Sequence, residues 1–592
     1  MKAKGPSSQN AQSIATAQQE LSAASKAPAE SYGIYDIQGV DHRSPLEGQR
    51  VRTEGVVTDV FENGFYIQDP HGDGDSNTSD AIFVSTEEPP ALSLGDAVQL
   101  EGTVEEFAPN ESSLTRTQLS DVSGLQVVSS GHDLPGAVQL GGAENPYPTD
   151  SIDEAASLYE SLEGMRVEVS DLQVVGASNH FGDAFVIPEQ AGIQTTDKGA
   201  IRGRLGEELP ERLKLNVNPN RSGGEAPRFK VSDRLTGAVG TFTHDYGFYG
   251  LKVSELGDID PGDLEPDVTT LEGTEWGMTI ATYNVENLDV VVEDPDLLSP
   301  GGSVDDDLGD GKFDALADHM VYNLKNPDVL ALQEIQDNDG TEDTSVVSGS
   351  EVWQALIDKI VEAGGPRYEY IEMAPVDDQE GGQPGGNIRV GYLYNPERVA
   401  MLKGSVERVG IGHSAFNEER GSLAAAFRFK PTGESLHIVN NHLASKYGST
   451  PTYRNPEVPE VVAGVEERLG QQDVILDYIH NLQQQDPNAR VLSVGDFNAP
   501  EHEQSMIEHG SSTLFNFGDD VPDDERYSYG FQGVSEPIDH QFGTRNLAGK
   551  VEFEYVHVNA DFVDKASDHD PTISRINMLP PGVSIPEEDG QG

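Results

Sequence analysis

The chain has no cysteine among its 592 residues. That excludes disulfides and thiolate metal sites, and leaves the redox compartment open. Bases are scarce: 38 Lys and Arg stand against 103 Asp and Glu, a formal net charge of −65. No apolar run approaches the ~20 residues of a membrane-spanning helix, so no membrane partner is expected. The N-terminus also lacks the apolar centre of a signal peptide. Either the protein is cytoplasmic, or the numbering begins after a removed signal. The acidic excess is spread along the whole chain. Such a surface repels itself at low salt and is screened at high salt, where the Debye length falls to ~3 Å at 1 M. Concentrated salt is the first reading, and an ordinary acidic secreted protein the second. The length exceeds what one core can organise, so two to four domains are expected.

Residues 1–30 are rich in Ser, Ala and Gln and read as a flexible arm. Residues 31–145 alternate short strands with Gly turns, as in Arg50–Val60, Gly64–Gln68 and Ala97–Val104. Leu46-Glu-Gly-Gln-Arg-Val51 recurs as Leu162-Glu-Gly-Met-Arg-Val167, which predicts a second β module over 150–265. Both read as small all-β, OB-like modules. Their aromatics, Phe65, Tyr66, Phe83, Phe242, Tyr246, Phe248 and Tyr249, either stack bases or fill cores, and core packing is the favoured alternative. Asp69, Asp73, Asp75 and Asp80 lie in one Gly-broken loop. Hard oxygens on such a loop suit Ca²⁺, although the EF-hand spacing is missing and a solvated acidic turn explains them equally well. The run Asp305-Asp-Asp-Leu-Gly-Asp-Gly311 poses the same choice more weakly.

After a Pro- and Gly-rich linker at 261–273 the pattern becomes α/β over residues 275–575, followed by a flexible tail at 576–592. Strands are predicted at Met278–Asn284, Asp328–Glu334, Arg389–Tyr394, Leu423–Phe429, Leu436–Asn440 and Val491–Val494. Helices are predicted at Phe313–Leu324 and Val461–Gln484. Several strand ends finish in polar groups, a common way for α/β folds to present chemistry. Glu334 and Asp568 are hard ligands for Mg²⁺ or Mn²⁺, with Ca²⁺ a further candidate, and Asn284 and Asp496 could complete that shell. Asp496 and Asn498 are two apart, so an extended chain presents both on one side. His442 and His569 can donate to a phosphate oxygen or exchange a proton. Asp539 can hold His569 in the useful tautomer. Singly, each of these residues is more often a turn or a satisfied hydrogen bond.

Taken in order, Asn284-Val-Glu-Asn287, Gln333-Glu334, Asn441-His442-Leu443, Gly495-Asp-Phe-Asn498, Ile538-Asp-His540 and Ser567-Asp-His569 resemble the motifs of the endonuclease/exonuclease/phosphatase superfamily, which includes DNase I-like nucleases. With two preceding β modules, the chain resembles the large extracellular nucleases of marine and halophilic bacteria. The resemblance implies an α/β four-layer sandwich and a secreted protein. It implies that Glu334 binds the catalytic divalent metal with Asn284 and Asp568. Asp496 and Asn498 position metal, water or phosphate, Asp539 orients a histidine or activates water, and His442 and His569 stabilise the transition state. Arg420 matches the family's phosphate-contacting arginine, with Arg389 and Lys446 as weaker candidates. A glutamate that orients the first histidine in some relatives has no counterpart near Asn387–Val390, so the partner of His442 is unassigned.

The implied reaction is metal-assisted hydrolysis of a phosphodiester in DNA, and of RNA as a second candidate. Endonucleolytic cleavage by a monomer is the simplest expectation. One rival is a phosphatase or lipid phosphodiesterase of the same fold. The other is a non-catalytic nucleic-acid-binding protein.

Overall fold

The computed structural model describes residues 29–148, 151–217, 226–417, 419–511 and 513–580. The expected flexible arm falls almost wholly outside the described residues, as does most of the expected tail. The chain divides into two compact units. One comprises residues up to Val169 with Ala238–Glu255 and Pro451–Val458, and the other comprises Ser170–Gly237, Leu256–Thr450 and the residues from Pro459 onward.

In the first unit, five strands close into a ring. Arg50–Phe61 pairs with Gly64–Gln68, then come Ala81–Ser85, Arg116–Ser129 and Ala97–Phe107, and the last pairs back with Arg50–Phe61. The Ala81–Ser85 and Arg116–Ser129 pair is parallel. Alternating residues such as Val51, Phe65, Ile67, Ile82, Val98 and Leu119 fill the interior, as period-2 side-chain alternation dictates. Phe65, Tyr66, Phe83, Phe242, Phe248 and Tyr249 are all buried, and only Tyr246 of this group is exposed. Core packing therefore accounts for six of the seven aromatics.

The second unit contains two mixed sheets. In the first, the order is Glu369–Glu372, Arg389–Tyr394, Val329–Ile335, Gly277–Leu288, Thr572–Asn577 and Val551–Tyr555. In the second, it is Val399–Met401, Ser422–Phe429, Ser435–His442, Val491–Asp496, Asp539–Thr544 and Leu514–Asn516. Each sheet has a parallel pair near its centre, Gly277–Leu288 with Val329–Ile335 and Ser435–His442 with Val491–Asp496.

Sequence alternation separates the layers. Met278, Ile280, Val329 and Ala331 face Ile438, Leu492 and Val494 between the sheets. Their neighbours Ala281, Tyr283, Leu330 and Leu332 pack on the outer helices through Phe313, Trp353 and Leu356. Val439 and Val491 meet Ile475 and Ile479 of helix Val465–Gln485 on the other side. The result is four layers, helix–sheet–sheet–helix, as expected. Two details differ from the sequence reading. The helix at 313–324 is two pieces, Lys312–Asp318 followed by a π-helical turn at His319–Asn323. The long helix begins only at Val465, because Gly464 before it is left-handed (φ +76°).

The linker is tied down by charge. Asp267 accepts from Lys198 Nζ (2.6 Å) and binds His557 Nδ1 (2.8 Å). Burial pushes Asp267 up, but His557 and Lys198 outweigh it and hold the carboxyl at about 2. Burial lowers His557, and Asp267, Asp570 and Asp561 together raise it above 6.5. The carboxylate's contribution is present above 3.8 and lost as pH falls through about 2. The imidazolium's contribution is complete below 6.5 and lost as pH rises through its higher folded value. Asp267→Asn is therefore expected to cost about 2 kcal/mol near pH 5.5 and clearly less near pH 9. Urea unfolding at both pH values checks this; equal losses at the two would refute the linkage.

Candidate active site

The parallel pairs end at the same place. Glu334 closes its strand with a left-handed backbone (φ +63°), as do Glu286 and Asn287 after Asn284 (φ +52° and +49°). Non-glycine residues adopt this region at a cost, and such strain gathers at functional sites. Asn498 after Asp496 is also left-handed (φ +51°). Gly495 must be glycine, because a Cβ there would fall 2.1 Å from the Asn441 carbonyl oxygen.

These turns bring side chains of both sheets into one cluster. Asn284 Nδ2 donates to Glu334 Oε1 (2.8 Å) and to Asp496 Oδ2 (3.1 Å). The Asn287 amide donates to Glu334 Oε2 (3.0 Å). His442 Nε2 lies 3.5 Å from both Glu334 Oε1 and Asp496 Oδ2. His569 Nδ1 binds Asp539 Oδ2 (2.7 Å), which also accepts from Ser528 Oγ (2.7 Å). His569 Nε2 points toward Asp496 Oδ2 (3.8 Å) and Asp568 Oδ1 (3.9 Å). Asn498 donates its amide to Asp496 Oδ1 (2.8 Å) and its side chain to the Leu443 carbonyl (3.0 Å). Asp496 and Asp539 are sealed, whereas the Asp568 side chain is 34% exposed and that of Glu334 17%. The cluster therefore opens to solvent on the Glu334 and Asp568 side.

The electrostatics divide the two histidines. Burial, together with Arg420 and His569, lowers His442 well below the usual imidazole range. Burial also works against the charge on His569, but Asp539, Asp568 and Asp496 override it and raise this group well above 6.5. Burial raises Glu334, helped by Asp568, and lifts Asp496 to about 7. Carboxyls raised in this way are short of positive charge.

The donor set fits a divalent cation. Ligand atoms of Glu334, His442 and Asp496 lie within 4.8 Å of one another, and hard carboxylates suit Mg²⁺ or Mn²⁺. Asn284 differs from the expected metal ligand: its Oδ1 accepts from the Glu286 amide (3.0 Å), and its nitrogen spaces the two carboxylates. The expected phosphate cations are engaged within the protein. Arg420 is buried, donates to the Leu443 carbonyl (3.1 Å), and its charge reaches Glu334 and His442. Arg389 is held by Glu372 and by the Val347 and Asn387 carbonyls, and Lys446 pairs with Glu536 (2.7 Å). The loop acids Asp69, Asp73, Asp75 and Asp80 belong to none of the metal-compatible sets among the described residues. Instead, Asp69 Oδ1, Asp73 Oδ1 and Asp75 Oδ1 cap backbone amides two residues ahead.

Several participants carried no sequence signal. Ser528 sits eleven residues before Asp539 and is tied to it by hydrogen bonds in both directions. The Tyr529 ring lies 4.9 Å from that of His569. Arg468 is fully buried and grips Glu503 and the Ala444 carbonyl just past His442. His442 Nδ1 is buried with no partner among the described residues.

Residues 281–569 match the model of the Endonuclease/Exonuclease/phosphatase family. Residues 135–261 match that of a Domain of unknown function (DUF8508). No curated protein matches the chain. Among solved structures, the human Nocturnin catalytic domain with bound sulfate is similar at 14% identity, over 50% of this chain and 93% of that chain (TM-score 0.35). D. rerio TDP2 complexed with single strand DNA product is similar at 19% identity, over 51% and 99% (TM-score 0.34). An endonuclease/exonuclease/phosphatase family protein from Bacteroides thetaiotaomicron is similar at 16% identity, over 51% and 94% (TM-score 0.33).

Asp539 is the partner that keeps His569 charged. Asp539→Asn is expected to lower the His569 pKa in metal-free protein, followed by imidazole NMR. An unchanged value would show that Asp568 and Asp496 suffice.

Proposed function

Residues 281–569 belong to the endonuclease/exonuclease/phosphatase superfamily, and from that premise we propose that the protein is a divalent-metal-dependent nuclease cutting phosphodiester bonds within DNA. The observation that carries this reading is the pairing of a solvent-facing carboxylate mouth with one charged and one neutral buried histidine. Glu334 and Asp568, with His442 and Asp496 beside them, would hold Mg²⁺ or Mn²⁺. Such a cation neutralises charge on the phosphate and activates water. His569, locked by Asp539, presents a proton on Nε2 to the phosphoryl oxygens or the leaving alkoxide. Asp496, beside both histidines, is placed to accept the proton of the attacking water. Arg420 adds a fixed positive charge beside Glu334 and His442. Water's oxygen joins phosphorus as the ester P–O bond breaks, and the alkoxide leaves with a proton.

The finer assignment is a secreted endonuclease working in high salt, with RNA as a second substrate, Ca²⁺ as a further ion and a monomer as the working unit. The net charge of −65 supports the saline part. A polyanion meets this surface only when salt screens it. The closed five-strand ring with its parallel pair supports an OB-like reading of the first module, a type that often holds single strands.

The decisive assay is nicking of closed circular DNA with Mg²⁺ or Mn²⁺, with and without EDTA, across an NaCl series. Metal-dependent nicking that rises into the molar range is expected. Glu334→Gln should lose roughly 10²–10³-fold in rate with DNA binding retained. An optimum near zero added salt would refute the saline adaptation. Hydrolysis of small phosphate esters without nicking would move the protein to the phosphatase side of the family.

A further inference from the structure

A second carboxylate cluster lies in the same unit and shares no residue with the first. Asp289 and Glu293 follow the Gly277–Leu288 strand and are 0% and 2% exposed. Asp305 joins them from the loop that leads to the Lys312 helix. One ligand oxygen from each of the three lies within 4.8 Å of the others. None of the three forms an ion pair among the described residues. The neighbouring base, Lys312, is committed to Asp307 (3.2 Å) and the Glu286 carbonyl.

The surroundings are short of a positive partner. Gln336 is 1% exposed and reaches into the cluster, its Nε2 3.0 Å from Asp289 Oδ2. Its Oε1 is buried and has no partner among the described residues, and the same holds for Asp305 Oδ1. Glu293 Oε1 receives only long contacts from Thr341 N and Oγ1 (3.4 Å each). Gly340 is left-handed (φ +63°), and a Cβ there would fall 2.6 Å from Glu293 Oε1 and 3.2 Å from Asp289 Oδ2. Backbone thus closes one side of the cluster, and the two carboxylates share the remaining space.

We propose that Asp289, Glu293 and Asp305 form a second divalent-cation site that takes Ca²⁺ and fastens residues 289–311. The ligands are all hard oxygens, and an irregular loop tolerates the variable geometry of Ca²⁺ better than the strict octahedron of Mg²⁺. Burial and mutual repulsion raise Asp289 to about 8 and Asp305 to about 6, so a bound cation displaces protons as it enters. A long segment without regular structure between a strand and a helix needs such an anchor. It leaves the strand that delivers Asn284, Glu286 and Asn287 to the active site.

The test uses full-length Glu334→Gln protein stripped with EDTA, so that the catalytic cluster is weakened and activity is not the readout. Calcium alone is titrated calorimetrically, and thermal unfolding is followed with Ca²⁺, with Mg²⁺ and with EDTA. One Ca²⁺ site is expected to remain, with a rise in Tm that Mg²⁺ does not match. Adding Asp289→Asn and Glu293→Gln should weaken Ca²⁺ at least about tenfold and abolish the rise. In EDTA the same variant should unfold no lower than its parent, because buried repulsion has been removed. If that variant does not fold, Asp305→Asn at the mouth of the cluster must weaken Ca²⁺ comparably. Calcium affinity unchanged in the variant that folds, or no Ca²⁺-linked rise in the parent, overturns the proposal.

Discussion

The active cluster depends on a polar seam between the two sheets. Gln333 Nε2 donates to Asn440 Oδ1 (2.6 Å), and Asn440 Nδ2 returns to the Leu332 and Gly391 carbonyls (2.9 Å each). One step nearer the mouth, Asn284 bridges Glu334 of one sheet and Asp496 of the other. All three amides are fully buried, where an unmet donor or acceptor costs ~1–3 kcal/mol. Sliding one sheet over the other by a residue would break these bonds and carry Glu334 away from His442 and Asp496. The seam therefore fixes the register that lets Glu334 and His442 meet, and apolar packing alone would specify that register less sharply.

Holding carboxylates this close creates the site's chemistry. Their repulsion is opposed by few fixed cations, since Arg389 and Lys446 are paired elsewhere, while the charge of Arg420 reaches both Glu334 and His442. The missing charge falls partly on His569, which is kept protonated, and leaves room for a metal at the mouth. His442 lies on the Arg420 side and is kept neutral. Two imidazoles in one cavity thus hold opposite charge states, the arrangement that separates acid and base roles at a single pH.

Most of the α/β half was legible in the sequence because its strands are buried on both faces. Val329–Ile335 and Val491–Asp496 are continuous aliphatic runs with polar ends, and both appear where expected. The polar ends could be read because they recur in order along the chain; singly, each passes for a turn or a satisfied hydrogen bond. Ser528, Tyr529 and Arg468 escaped because their partners are distant in sequence and their local patterns are those of an ordinary loop and an ordinary amphipathic helix. The strand-end position of Arg389 makes it a weaker phosphate candidate in sequence, but only the fold reveals Glu372 beside it. The π-turn at His319–Asn323 keeps the helical spacing of its apolar residues, so periodicity did not expose the break.

The acidic surface and the buried acids call for different counterions. Exposed carboxylates need only a diffuse ion atmosphere, which molar salt provides by screening. Asp289, Glu293, Asp496 and Asp539 are out of reach of that atmosphere, because each is almost entirely buried. Screening cannot stabilise charge there; a proton, a histidine or a site-bound cation must. Asp539 has its histidine and Asp496 shares His442 and His569, whereas Asp289 and Glu293 have none among the described residues. In a chain with so few bases, a proton or a divalent cation is the remaining partner for buried negative charge. This separates the effect of NaCl, which acts on the surface, from that of EDTA, which acts on the interior, and the two should not substitute for one another.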